Sequence, residues 1–250
     1  MNASVSVAEL QHAWGAIRRG EFRTPAATGF PRARGERLLL VVGVAGQAGA
    51  TTVATALAET VGADRLVDCA PTVTSGLVGA CERELPASES GWLRGRRGSL
   101  LVERSPLRLP NPAGSCPVPP VGGGGVTIVD AGADALTLLG ARGWIVDMLR
   151  DPSVPVVVVA RCSVPSMRRL EVALDQLAPP GRSVRVALVG PSPRRWPRRV
   201  VLPPAAERLR RDGRVVFIPI DAALATHGLG IDPIPAPILA AVRTLEGITS

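Results

Sequence analysis

The sequence predicts an α/β protein: a mostly parallel central sheet flanked by helices on both faces, preceded by a short amphipathic helix. Strand-sized apolar runs alternate with helix-spaced apolar patterns along most of the chain, which is the mark of β–α–β units. The runs themselves, such as LLLVVGV at 38–44 and VPVVVVA at 154–160, are apolar throughout rather than alternating, as strands buried on both faces require. With 250 residues, 46% of them hydrophobic, the chain has ample material for one large core, and a single domain over 38–250 is the expectation.

Taken in order, Val7, Leu10, Trp14 and Ile17 are spaced to line one face of a helix over 5–19 that Gly20 stops. Its apolar stripe must bury against its own domain, a partner or a membrane surface. Pro25, Gly29, Pro31 and Gly35, interspersed with arginines, make 21–37 a linker, so 1–37 reads as helix plus linker. Strands are predicted at 38–44, 65–69, 126–130, 154–160, 184–189 and 214–218, with helices at 50–61, 76–84, 135–150, 164–177, 204–212 and 236–246. Between 86 and 125 the pattern breaks. There 99–103 allows a short strand, a proline-rich loop follows, and the glycines at 122–125 lead into the next strand. They precede a strand rather than a helix, which argues against a phosphate site.

All 29 basic residues are arginine, and lysine and tyrosine are absent. In such a chain, drift alone would replace a lysine with arginine and keep the charge; alanine would not keep it. The net charge of +8 favours an anionic partner: nucleic acid, acidic lipid or an acidic protein surface. Cys69, Cys81, Cys116 and Cys162 are scattered without metal-ligand spacing, which suits a reduced cytoplasmic chain. His12 and His227 alone cannot make a histidine-rich metal centre and leave few candidates for a Ser-His-Asp triad. No apolar run is long enough for a signal peptide or a transmembrane segment.

The most informative segment is LLLVVGVAGQAGATTVATALAETV, a strand, a glycine-rich turn and a helix, with Gly43, Gly46 and Gly49 in the turn and Thr51 and Thr52 opening the helix. Such a turn lets backbone N–H groups converge on an anion where the helix dipole also favours negative charge. The alternative is an ordinary βα turn that needs glycine for tight packing. The segment resembles the deviant Walker A loop, KGGxGK[ST][ST], of the ParA/MinD family of P-loop ATPases. In that alignment Ala45 stands at the signature lysine, Gly46 and Gly49 match glycines, Gln47 and Ala48 lie between them, Ala50 stands at the invariant lysine, and Thr51 takes the Mg²⁺-binding position. The loop pattern is closest to the atypical CpaE/TadZ and septum-site-determining branch.

Further segments resemble the same family in order. Asp130, with Ala131 and Gly132 after an apolar strand, resembles the Walker B end, where the carboxylate holds Mg²⁺ through water. LVDCAP at 66–71 resembles the second strand's acidic segment, with Asp68 at its first acid and Ala70 where a second acid is usual. RVVFIPIDAALATHGL at 214–229 resembles the stretch bordering the base pocket, which makes Pro219 and Asp221 candidate cofactor-binding residues. The resemblance implies a P-loop fold, weakly bound ATP and Mg²⁺, a protein partner or homodimer, and work alongside a larger machine in septum placement, plasmid transfer or pilus-type secretion. The departures weaken it: a charge-assisted hydrogen bond is worth about 1.5–3 kcal/mol, so losing the loop lysine weakens binding about 10–150-fold. Hydrolysis suffers more, because positive charge on the transferring phosphoryl group is most of what the protein supplies. An arginine from elsewhere, such as Arg161 after a strand, could replace the charge or simply sit solvated in its loop.

GPSPRRWPRRV at 190–200 places Arg194, Arg195, Arg198 and Arg199 around Trp196 between prolines. Guanidinium groups there can grip phosphates, and the indole can stack on a base or sit at a lipid interface. A solvated loop whose tryptophan packs on the helix at 204–212 is the competing picture. Two other functions compete with the switch-like reading. One is a non-catalytic protein binding nucleic acid, without sequence preference, or an anionic membrane surface. The other is a P-loop ligase, against which the missing lysines argue.

Overall fold

The computed structural model describes residues 29–109, 115–179 and 181–245. The predicted helix over 5–19 lies outside these residues. A nine-stranded sheet runs in the order β3-β4-β5-β2-β6-β1-β7-β8-β9. Its strands are β1 (Arg37–Gly43), β2 (Arg65–Asp68), β3 (Arg83–Leu85), β4 (Leu93–Arg97), β5 (Leu100–Arg104), β6 (Val126–Asp134), β7 (Val156–Arg161), β8 (Val184–Val189) and β9 (Val215–Ile218). From β5 to β9 across the sheet all neighbours are parallel, and β4 and β3 add an antiparallel edge.

The helices are α1 (Ala50–Thr60), α2 (Ala135–Leu139), α3 (Trp144–Arg150), α4 (Val164–Leu177), α5 (Pro204–Arg211), α6 (Ala222–His227) and α7 (Ala236–Arg243). Alternation along β1 sorts them into layers, since successive strand residues face opposite sides. Leu38, Leu40 and Val42 join Leu149 of α3, Leu170 of α4 and Leu209 of α5 on one face. Leu39 and Val41 join Val53 and Leu57 of α1 and Ile238 and Val242 of α7 on the other. The described end of the expected linker is part of this domain: Phe30 packs on Trp144 with ring centres 5.5 Å apart, and buried Glu36 accepts from Thr127 at 2.6 Å.

The predicted parallel strands are all present, and the short strand expected at 99–103 is β5. The helix expected at 76–84 is absent; the segment makes turns that end in β3. Buried Leu77, Ala80 and Cys81 give it a helix-like spacing. Its carbonyls, however, are taken by side chains of the hairpin: Arg104 donates to Leu77 O at 3.4 Å and Arg97 to Ala80 O at 3.1 Å. The helix expected at 135–150 is two, because Gly140 ends α2 and Gly143 starts α3. Buried Arg97 also pairs with Glu59 of α1 and donates to Gly230 O and, at 2.7 Å, to Asp232 O. It thereby joins the hairpin to the segment before α7.

Candidate functional site

The C-terminal ends of the parallel strands surround a cleft of about 750 Å³. It opens beside β1, whose neighbours β6 and β7 lead away to opposite sides, the place where doubly wound sheets leave a crevice. The loop after β1 feeds directly into α1, and Gly46, Gln47, Ala48, Gly49, Ala50, Thr51 and Thr52 all line the cleft. Gly49 takes the N-cap position at φ +95, and no side chain caps the helix. The orphan N–H groups of the first turn are therefore left for a ligand or water. Gln47 is held at φ +59, a left-handed conformation that costs a non-glycine residue about 1–2 kcal/mol.

Below the loop, Thr51 Oγ1 donates to Asp130 Oδ2 at 2.6 Å, and Asp130 Oδ1 accepts from Gly132 N at 3.3 Å. Burial pushes the Asp130 carboxyl above its ordinary range, while the Thr51 and Gly132 hydrogen bonds pull it back. Asp68 stands beside Asp130 in register on the adjacent strand, yet it does not line the cleft. It is fully buried; Ser75 Oγ donates to one carboxylate oxygen and Ala70 N to the other at 2.9 Å. Burial, and after it the negative charge of Asp130, raises the Asp68 pKa to about 7. Asp68 thus supports the cleft from behind, through the turn that carries Ala70 and Ser75.

Pro219 and Asp221 line the wall after β9, and Asp221 accepts from Leu224 N at 2.9 Å, capping α6. Another wall is Val73, Thr74 and Gly76; expecting a helix from residue 76 hid this wall in the sequence. Asp134 also lines the cleft while capping α2 through Thr137 N at 3.1 Å. Arg161, the exposed last residue of β7, is the cationic side chain among the described lining residues. Arg194, Arg195, Arg198 and Arg199 are exposed and lie outside the cleft lining. Trp196 is half-buried, packed edge-on to Phe217 with ring centres 5.7 Å apart, and its indole N–H donates to Pro191 O at 2.9 Å. The ring therefore anchors the loop, against β9 as well as the sheet's helical layer.

No protein-family profile matches the sequence, and no curated protein matches it. Solved structures do match. The MinC:MinD cell division protein complex of Aquifex aeolicus aligns over 84% of this chain and 96% of that one, with 14% identity and a TM-score of 0.55. A ParA family ATPase from Chlorobium tepidum TLS aligns over 86% and 98%, with 14% identity and a TM-score of 0.53. The chain has the ParA/MinD fold. At this identity the likeness is one of architecture. No described helix is long and apolar enough to cross a membrane.

Proposed function

We propose that this chain is a cytoplasmic ParA/MinD-like regulatory or positioning protein with a degenerate nucleotide site, which binds ATP and Mg²⁺ weakly and hydrolyses ATP slowly or not at all. The observation that carries the reading is the Thr51–Asp130 hydrogen bond of 2.6 Å at the uncapped start of α1. A hydroxyl and a carboxylate are hard oxygen donors of the kind Mg²⁺ takes, and the open N–H groups above them suit phosphate. Thr51 and Asp130 would hold the ion, which supplies positive charge to the phosphates when bound. What the chain's own residues add is a backbone cradle and little charge, since alanine occupies positions 45, 50 and 70. That combination favours binding over turnover.

The loop pattern supports the atypical CpaE/TadZ and septum-site-determining branch. A role beside a larger machine follows, in septum placement, plasmid transfer or pilus-type secretion, with a protein partner or as a homodimer. The MinC:MinD neighbour is itself a two-protein complex. Titration calorimetry with ATP and ADP, with and without Mg²⁺, tests the site, and Thr51→Ala should remove the Mg²⁺ dependence. Phosphate release from ATP should stay near background; turnover comparable to ordinary family members would overturn the degenerate-site reading.

A second reading has its own observation, the exposed Arg194, Arg195, Arg198 and Arg199. In it the chain keeps only the fold and binds DNA without sequence preference, or an anionic membrane surface. Binding to either that is indifferent to nucleotide would favour it.

A further inference from the structure

The cleft that resembles a phosphate site has lost both lysines, and its lining is otherwise acidic or neutral. Among the described lining residues the carboxylates are Asp130, Asp134 and Asp221 and the cation is Arg161. A polyphosphate entering such a cleft needs a positive partner. Arg161 is placed to be one. As the last residue of β7 it is in register with Val189 on β8, and Val189 Cγ2 lies 3.3 Å from where a Cβ on Gly49 would stand. Gly49 is the N-cap of α1. Gly43, at the start of the phosphate loop, is in register with Val159 of the same strand β7, so the strand end that carries Arg161 adjoins the loop directly. Its backbone is fixed, since Arg161 N donates to Ser166 Oγ at 3.1 Å, and Ser163 caps α4 immediately after it. The guanidinium itself is exposed and has no hydrogen bond or ion pair among the described residues.

The other cleft carboxylates are occupied locally, Asp134 with Thr137 and Asp221 with Leu224. No acid of the lining therefore holds the guanidinium away from an incoming anion. We propose that Arg161 is the phosphate-binding cation of this cleft, a neighbouring-strand replacement for the lysine that position 50 lacks. The assignment rests on the nucleotide-site reading above and deepens it: the ligand class is a di- or triphosphate group, gripped by an arginine fork from β7 and by the N–H groups of α1. A fork on a strand end binds two oxygens in a plane, whereas a lysine in the loop would act as a point charge.

The test is calorimetric titration of ATP, ADP, inorganic pyrophosphate and adenosine into the full chain, at low and moderate NaCl. The variants are Arg161→Ala, Arg161→Lys, and Arg161→Ala combined with Ala50→Lys. Arg161→Ala should weaken ATP, ADP and pyrophosphate by a common factor of about five to ten, the scale of one exposed-to-partly-buried charged contact. It should also flatten the salt dependence of all three and leave adenosine unchanged. Arg161→Lys should recover part of the loss, and Ala50→Lys should restore binding in the alanine background. Because Arg161 is exposed, the alanine variant should keep the wild-type melting temperature. If Arg161→Ala binds all three anions as tightly as wild type, with the same salt slope, the inference is overturned while the nucleotide site stands. If neither wild type nor the variant combining Arg161→Ala with Ala50→Lys binds any of them, the nucleotide-site reading fails and takes this inference with it.

Discussion

A Cβ on Gly132 would lie 2.2 Å from the backbone nitrogen of Ala70, with Gly132 itself at φ +65. The ends of β6 and β2 meet backbone to backbone at this point, directly behind Asp130. Both the close approach and the left-handed conformation exclude a side chain. Gly132→Ala should therefore destabilise the protein by about 2–4 kcal/mol, and it should disturb the Asp68 and Asp130 carboxylates together. Urea unfolding measures the first effect. A variant as stable as wild type would show that the two strand ends are not packed as described.

Ala50 lines the cleft at the first position of α1, so a longer side chain there has room to enter it. Ala50→Lys should strengthen ATP binding about tenfold or more through a charge-assisted hydrogen bond. Calorimetry on a folded variant checks this. Unchanged affinity would mean that the loop does not receive phosphate.

Asp68 holds its proton more tightly in the folded chain, with a pKa near 7 against an ordinary 3.8. Between those values the unfolded chain gives up the proton and the folded chain keeps it. The folded state binds more protons there, so stability falls as pH rises through that window, and the loss is complete above about 7. Asp68→Asn removes the buried carboxylate and should stabilise the protein at pH 8 relative to wild type, with little change near pH 4. Urea midpoints for both proteins across this range are the measurement, and parallel curves would refute the assignment.

Arg194, Arg195, Arg198 and Arg199 are exposed, so replacing all four with alanine should leave the melting transition close to wild type. If the loop contacts duplex phosphates, the same variant should flatten the log–log salt dependence of DNA binding by about 3. Anionic vesicles are the parallel arm. Trp196→Ala behaves differently: the ring packs on Phe217, so its loss should cost about 1–3 kcal/mol of stability. Binding of neither DNA nor vesicles at low salt would leave the loop as a protein-docking or solvated surface.

The parallel strands were legible because burial on both faces writes itself as unbroken runs of valine and leucine. The phosphate loop was legible because a glycine turn between a strand and a helix has few other uses. The antiparallel edge was harder. β3 and β4 read REL and LRGRR, with no apolar run to mark them, and the buried arginine of β4, Arg97, pairs with Glu59 rather than facing water. Asp68 shows the opposite difficulty. Its motif position suggested a ligand-facing acid, but sequence carries no trace of the Ser75 turn that covers it. α6 had a signal, Asp221 as a helix cap before an Ala-Ala-Leu run, that the strand-end motif overshadowed.

Arg97 takes its partners from positions 59, 80, 230 and 232, which sets a sequence of events. Its hydrogen bonds can close only after the hairpin, α1 and the segment ahead of α7 have all arrived, and contacts spanning that much chain are late to form. The guanidinium thus clamps together parts of the chain that lie far apart in sequence. The strip it holds runs on from Gly228 and Leu229, which line the cleft. One wall of the site is consequently tied to the hairpin and to α1 through a single guanidinium, whereas the floor at β1 and β6 is held by a parallel backbone ladder.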